Sequence, residues 1–449
     1  MKTNKDIHKF TIKTLMLILM AAAVVASSPM AAFAFELPEY VTVGLRYGNT
    51  AVNLASLKAD SGLYLGEISN GEFDLISDLE GNTSVTANMG DDGILISDED
   101  GNIIETIGSD ITCCIIPRED EDLIRFNEAR YRGGIMLLPD GNKITVVNRL
   151  GIDEYLYGVV NQEMSRSNPA EALKAQAIAA RNFVAVKQYS HSAGGFGVCT
   201  TTHCQVYKGY EGETEETNRA VDETSGLLMY ANGIPVEAYY HKNSGGHTED
   251  SENVWYATLS YLRAVEDPYT PVYPWSLTLS YDEIRNCLET AGYDPGDIIA
   301  VDIIEKTDAG GVYSLLIEGD NATLVLQKDK IRSIFGSTKI KSSMFSIDAG
   351  SDPLTIRSSS GSTQADAYLY IVSRDGIKRS VKKSDIYISS GDGFTVKPGM
   401  NLSGNSLMMT GTGYGHRIGM SQDGAIEMAK QGFDFEEILK FYYSGVEIR

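Results

Sequence analysis

The chain has 449 residues, 61 of them acidic against 38 lysines and arginines, with 43% hydrophobic content, 44 glycines and only 12 prolines. These proportions suit an ordered globular protein of one large or several ordinary domains and exclude a disordered or collagen-like chain. A formal net charge of −23 repels polyanions on average, so nucleic acid is not expected as a partner, because phosphate backbones are held by clustered lysine and arginine.

The first residues concern location. Lys2, Lys5, Lys9 and Lys13 precede an apolar run from Leu15 to Val25, and Ala32-Phe33-Ala34 supplies small residues for signal-peptidase cleavage. Residues 1–34 therefore predict an exported protein of the cell wall or extracellular space. The rival reading is an uncleaved membrane anchor, since roughly 20 apolar residues span a bilayer. Membrane association is expected only through that segment.

Residues 35–130 predict a β-rich region of short strands. The octets Leu75 to Asn82 and Leu95 to Asn102 nearly repeat, Leu138 to Asn142 echoes them, and acidic-Gly-Asn between β-prone runs predicts hairpin turns. A calcium loop at Asp98 and Asp100 is excluded by the early Gly101 and by the lack of a correctly spaced Glu. Cys113 and Cys114 fall in an apolar run, so strand alternation sends them to opposite faces as core residues. Short strands are expected to about residue 150, and there the period changes. Ile152 to Met164 has helical spacing with Leu156, Val159 and Val160 on one face. Asn168, Pro169 and Glu171 then predict the start of an alanine-rich helix running to Tyr189. A helix over Glu216–Ser225, a strand over Gly233–Tyr240 and a helix over Tyr281–Ala291 containing Cys287 follow. Residues 350–405, rich in Ser, Asp and Gly, predict an inserted hairpin region with a strand at Ala367–Val372, and Asp434 with Glu437 predicts a capping box on a last helix that Gly445 would close. The fold class is α+β, with mixed sheets and packed helices around a substrate cleft.

Tyrosine outnumbers the other aromatics, 25 against 13 Phe and 2 Trp, and such rings suit carbohydrate or peptide clefts. Five of the six histidines, His191, His203, His241, His247 and His416, lie in polar segments that contain Gly, Ser or Cys, which points to a site. Glu163 ends an apolar helix face beside Met164. A carboxyl held partly dry there resists ionisation and can donate a proton, although an exposed helical Glu reads the same way. Arg181 reaches the same cleft if the two helices pack antiparallel. His191, Cys199, His203 and Cys204 offer two thiols and two imidazoles to a tetrahedral zinc ion, with a Cys199–Cys204 disulfide or a nucleophilic cysteine as alternatives. The segments around Tyr239, Tyr240 and Ser244 and around His416 and Gln422 are dense in Gly and polar groups, as a sugar site would be. No P-loop, G-x-S-x-G elbow or H-E-x-x-H motif occurs.

The blocks Tyr131-Arg-Gly, Asn148 to Met164, Ala172 to Arg181, Tyr240-His-Lys-Asn-Ser-Gly-Gly and Gly413-Tyr-Gly-His-Arg-Ile-Gly-Met-Ser-Gln stand in an order that resembles the stage II sporulation protein D and amidase-enhancer family over most of residues 131–449. The resemblance implies a lytic transglycosylase that cuts peptidoglycan strands already stripped of stem peptides and leaves 1,6-anhydro ends. It matches Glu163 to the family's catalytic acid and Arg181 to its arginine. It also implies Tyr239, Tyr240, Ser244, His416 and Gln422 as binding residues, and a structural zinc on His191, Cys199, His203 and Cys204. A cell-wall amidase is the implied protein partner, and the alternative is a non-catalytic wall-binding protein that enhances one. Ser165 stands where the family has Pro, and Arg417 where it has Gly.

Overall fold

A computed structural model describes residues 35, 37–79, 81–255, 257–348 and 406–449, and within 354–396 it gives six short strands as backbone. The predicted leader at 1–34 lies outside the described residues.

Between Tyr40 and Gly151 some strands, such as Leu54–Lys58, alternate between core and solvent as a half-buried sheet requires, and others are buried on both faces over runs such as residues 134–137 and 144–148. The strands are β1 (Tyr40–Arg46), β2 (Leu54–Lys58), β3 (Leu63–Ser69), β4 (Glu72–Asp78), β5 (Ser84–Gly90), β6 (Gly93–Ser97), β7 (Ile103–Gly108), β8 (Cys113–Pro117), β9 (Ile124–Phe126), β10 (Ala129–Tyr131), β11 (Gly134–Asp140) and β12 (Lys143–Gly151). One sheet has the order Val198–Cys199, β1, β12, β11, β8, β3, β4, and the other β10, β9, β2, β5, β6, β7. Strand β12 touches β2 and β5 of the second sheet, so apolar faces meet there around Leu57, Val85, Ile144 and Val146, all fully buried. Burying each such side chain stabilises the fold by roughly 1.5–3 kcal/mol relative to leaving it in water. Because β11 and β12 lie inside the first sheet, the β-region runs through residue 130 to Gly151.

Two of the three predicted hairpin turns form. Gly141 (φ 63°) and Asn142 join β11 to β12, and the Asp98 carboxylate accepts hydrogen bonds from the amides of Asp100 (3.0 Å) and Asn102 (2.8 Å) between β6 and β7. The third, at residues 79–83, instead carries the chain from β4 in one sheet to β5 in the other. Asp, Gly and Asn specify a reversal locally but not which strand pairs next. Cys113 and Cys114 are both buried on β8, as expected.

Helix α1 (Ile152–Glu163) buries Ile152, Tyr155, Leu156, Val159 and Val160, an i, i+3, i+4 stripe. Helix α2 (Ala170–Lys187) is buried nearly all round, its alanines admitting close neighbours on several sides. It starts with Pro169 rather than Asn168 as its flanking residue, because the Asn168 side chain donates to the Ser165 carbonyl at 2.9 Å instead of capping. Helices α3 (Glu215–Asp222) and α4 (Ser251–Val254) follow, and regular pairing in the predicted strand over 233–240 is confined to Ile234–Pro235 and Tyr240–His241. After an inserted region, helices α7 (Gln422–Lys430) and α8 (Phe435–Tyr442) pack on α2 in a core that includes Ala175, Ile178, Met420, Met428 and Leu439. The predicted capping box at Asp434 and Glu437 is present, but Tyr443 is the C-cap and Gly445 lies two residues beyond it.

The insertion is larger than residues 350–405. Strand Pro274–Ser280 pairs antiparallel with Ser406–Thr412, so the chain enters and leaves side by side. Between them lie α5 (Tyr281–Thr290), α6 (Lys330–Phe335) and the three-stranded sheet Ile298–Lys306, Val312–Gly319, Thr323–Gln327. Their apolar side chains form a separate core around Trp275, Leu288, Ile317, Phe335 and Met409, with Cys287 packed against it. The predicted strand near 367–372 is Leu369–Val372.

Candidate active site

Glu163 is the last residue of α1, and the buried Met164 closes the helix by donating its amide to Val160 at 2.8 Å. Burial pushes the Glu163 carboxyl above the ordinary carboxylate range, while hydrogen bonds from the Tyr240 hydroxyl, the Val206 backbone amide and the Gln422 side chain act in the opposite direction. The Tyr240 oxygen accepts from Gln205 Nε2 at 3.1 Å, and Gln205 Oε1 accepts from the Tyr155 hydroxyl at 3.1 Å. With its lone pairs so engaged, the one Tyr240 proton is free for Glu163. Gln422 Nε2 also donates to the Glu163 carbonyl and to Gln176 Oε1, each at 3.2 Å.

Tyr240 and Gln422 therefore gather at Glu163, and the other predicted binding residues do not. Strand alternation turns Tyr239 away from Tyr240. Its ring lies 4.4 Å from that of Trp255 and 6.1 Å from that of His416, in an aromatic group on the other face. His416 Nδ1 accepts from the Ile418 amide at 3.0 Å, and burial, aided by the Arg332 charge, lowers its pKa to about 3, so the ring stays neutral. Ser244 is fully buried and donates to Asp267 at 2.7 Å.

Arg181 corrects the sequence expectation most clearly. Its side chain has no exposure, and it bonds Asp153 (2.9 and 3.0 Å) and the carbonyls of Thr224 (2.7 Å) and Val221 (3.2 Å). Asp153 opens α1 whereas Glu163 ends it, about 15 Å away at 1.5 Å per residue. Arg181 ties α1, α2 and the end of α3 together and does not reach the acid.

His191, Cys199, His203 and Cys204 do converge, with one potential ligand atom from each lying within 4.8 Å of all the others. Cys204 Sγ is 3.4 Å from His191 Nε2 and 3.5 Å from His203 Nδ1, and Cys199 Sγ is 3.8 Å from His203 Nδ1. A tetrahedral zinc with S and N ligands spaces them by about 3.3–3.8 Å, so the quartet fits that ion. Both cysteines are free thiols rather than a disulfide. The local frame explains the convergence. Val198 and Cys199 pair in parallel with Val43 and Gly44 of β1, and Phe196 stacks on His191 at 5.0 Å. A Cβ on Gly44 would meet the Phe196 ring at 2.5 Å, so only Gly allows this approach. Gln205 and Val206, which address Tyr240 and Glu163, follow Cys204 directly.

Arg417 adopts φ 66°, a left-handed conformation in which Gly is unstrained. Its buried guanidinium is 3.5 Å from Glu249 and donates to the carbonyls of Ser244, His247 and Ala309 and to Ser343 Oγ. Thr307 of the insertion also donates to Glu249, at 2.7 Å. The departure at this position thus fastens the insertion to the core.

Sequence reasoning missed Gln205 and Tyr155, and marked Arg417 only as a departure from the family pattern. Gln205 had one visible signal, its place beside the Cys/His run.

Residues 140–230 match the family described as stage II sporulation protein, and residues 245–363 match a domain of unknown function. An uncharacterized protein of Brachyspira hyodysenteriae is 30% identical over 74% of this chain and 75% of its own. The amidase enhancer of Bacillus subtilis is 33% identical over 65% of this chain but only 40% of its own length. The stage II sporulation protein D of Bacillus subtilis is 28% identical over 67% of this chain and 75% of its own. The matched block from 140 to 230 holds Glu163, Arg181 and the Cys/His quartet, and the chain belongs to the stage II sporulation protein D family.

Proposed function

We propose that the protein is an exported lytic transglycosylase of sporulation or cell-wall remodelling, acting on peptide-stripped peptidoglycan strands. The observation that carries this reading is the Glu163 carboxyl, whose burial disfavours ionisation and which is addressed by Tyr240, Val206 and Gln422. Protonated Glu163 gives its proton to the oxygen joining N-acetylmuramic acid to N-acetylglucosamine, and positive charge develops at the anomeric carbon. The resulting carboxylate then takes the proton of the muramic 6-hydroxyl as that oxygen closes the 1,6-anhydro ring. One carboxyl serves both steps because the nucleophile is internal, whereas hydrolysis calls for a second carboxylate. Tyr240 and Gln422 orient Glu163. The reading no longer needs Arg181 or Ser244 at the substrate.

Zinc on His191, Cys199, His203 and Cys204 belongs to the same proposal. Four protein ligands leave no open position for chemistry, so bound zinc would supply rigidity to the segment leading into Gln205 and Val206. Export through residues 1–34 is likewise proposed. Among the described residues no helix is long and apolar enough to cross a membrane.

A muropeptide digest of stripped glycan tests the reaction, with anhydro ends expected from the wild type and none from Glu163→Gln. A second reading, a non-catalytic enhancer of an N-acetylmuramoyl-L-alanine amidase, is favoured by the likeness to the amidase enhancer. It predicts that Glu163→Gln stimulates such an amidase as well as the wild type does.

A further inference from the structure

We propose that the exposed face of the second β-sheet is an anion-binding extension of the glycan site, in which Lys58, Arg125 and Arg130 take the carboxylates of a peptide-stripped strand. The strand register puts Ser84 opposite Lys58, Lys58 opposite Arg125, and Arg125 opposite Arg130. Three cations therefore form one line across β2, β9 and β10. Their chain neighbours Leu57 and Phe126 turn the other way, into the core. Like charges directly opposite one another on a sheet face repel, and a bound polyanion removes that repulsion.

The line lies in an open groove of about 470 Å³, to which Ser56, Ser84 and Asn127 add hydroxyl and amide groups. Acidic groups are also near. Glu128 lines the groove, Arg130 meets Glu211 at 2.8 Å, and Arg125 meets Asp60 at 3.4 Å. The Arg125 and Asp60 side chains are 46% and 69% exposed, so their pair is weak and gives way to a ligand carboxylate at small cost. Lys58 forms no ion pair among the described residues.

A chain of contacts links the groove to the helix that carries the acid, beginning with the Arg130–Glu211 pair. Glu211 belongs to the turn Gly209–Gly212, and the Gly212 carbonyl accepts from Asn161 (3.2 Å) and Gln162 (3.4 Å), in the last turn of α1 beside Glu163. Chemistry supplies the ligand. Hydrolysis of the amide that joins the stem peptide to muramic acid leaves a free lactyl carboxylate, so a stripped strand carries a regular row of them. In a chain of net charge −23, a line of cations on the sheet linked to the acid's helix is the feature that would read such a row.

The inference rests on the glycan-strand reading, and its test separates the two. Glu163→Gln protein, which should bind without cutting, is titrated with stripped glycan and with the same glycan after its lactyl carboxylates are converted to methylamides. Adding Lys58→Gln and Arg125→Gln should raise Kd for the stripped strand about tenfold and leave the methylamide strand unaffected. Equal binding of both strands, or no effect of the two substitutions, overturns the proposal. So does stronger binding of a phosphodiester wall polymer that displaces the glycan. Both positions are exposed, and unchanged melting temperatures check folding. With Glu163 intact, the Lys58→Gln, Arg125→Gln protein should cut a muramic tetrasaccharide, too short to span from Glu163 to the groove's cations, at the wild-type rate, and a slower rate counts against the proposal. Absence of anhydro product from the wild type itself would sink the reaction and leave the binding result standing.

Discussion

The side-chain amide of Gln422, the first residue of α7, donates to the backbone carbonyl of Glu163, the last residue of α1, at 3.2 Å. Two helices separated by most of the catalytic region meet at the proposed acid. Gln422 also acts on the carboxyl itself, as Tyr240 does, and both stabilise its ionised form. Burial wins over them and keeps the carboxyl raised.

This balance sets a sign. A general acid loses activity as pH rises through its pKa, so the alkaline limb of kcat/KM reports Glu163. Tyr240→Phe removes a donor to the carboxylate and should move that limb to higher pH, and Gln422→Ala should move it the same way while lowering kcat. A pH–rate profile of each variant checks this, and a shift to lower pH contradicts the assignment.

Arg181 gives the opposite expectation from a binding residue. Arg181→Ala leaves Asp153 and three helix-end carbonyls without their donor and should cost about 2–4 kcal/mol of stability. KM for glycan should be unchanged in the fraction that remains folded. Urea unfolding and steady-state kinetics on the same preparation separate the two effects.

Arg417 and Glu249 make a buried pair in the core, and Thr307, Ala309 and Ser343 of the insertion bond to it. Arg417→Ala strands Glu249 and should cost about 3–5 kcal/mol. Arg417→Gly relaxes the left-handed backbone but loses the same contacts, so it should recover no more than about 1–2 kcal/mol of that loss. Limited proteolysis should then release fragments cut within residues 274–412 before the rest of the chain is digested.

The Cys/His quartet predicts about one zinc per chain in the purified protein. Cys199→Ser and Cys204→Ser should each abolish it and lower the melting temperature, and a strong chelator should reproduce that fall with the wild type. Elemental analysis and thermal melts give the answer without any activity assay, and metal-free protein of unchanged stability contradicts the site.

Much of this was legible in the sequence where local physics decides. The i, i+3, i+4 stripe of α1 fixed its buried face and put Glu163 at its end, and the close spacing of His191 to Cys204 confined the quartet to one loop. The failures are cases in which a partner far along the chain decides. Arg181 reads as a cleft residue until Asp153 and Thr224 come to it. Ser244 reads as a sugar-binding hydroxyl until Asp267 covers it. Alternation alone should have separated Tyr239 from Tyr240, since neighbours in an extended segment cannot both face Glu163. The insertion was underestimated because Pro274–Ser280 and Ser406–Thr412 pair across more than a hundred residues, a contact that composition does not signal.

The central claim is tested most directly by digesting stripped glycan in heavy-oxygen water with the wild type and with Glu163→Gln. The raised carboxyl of the folded wild type lies above its unfolded value, so its ionisation costs stability as pH rises. Glu163→Gln should therefore be the more stable protein at neutral pH, with the difference gone below about pH 4, and loss of folding cannot then explain loss of activity. The account predicts anhydro ends free of solvent oxygen from the wild type and no cleavage by the variant. Reducing ends labelled by solvent, or a variant that cuts at the wild-type rate, would contradict it.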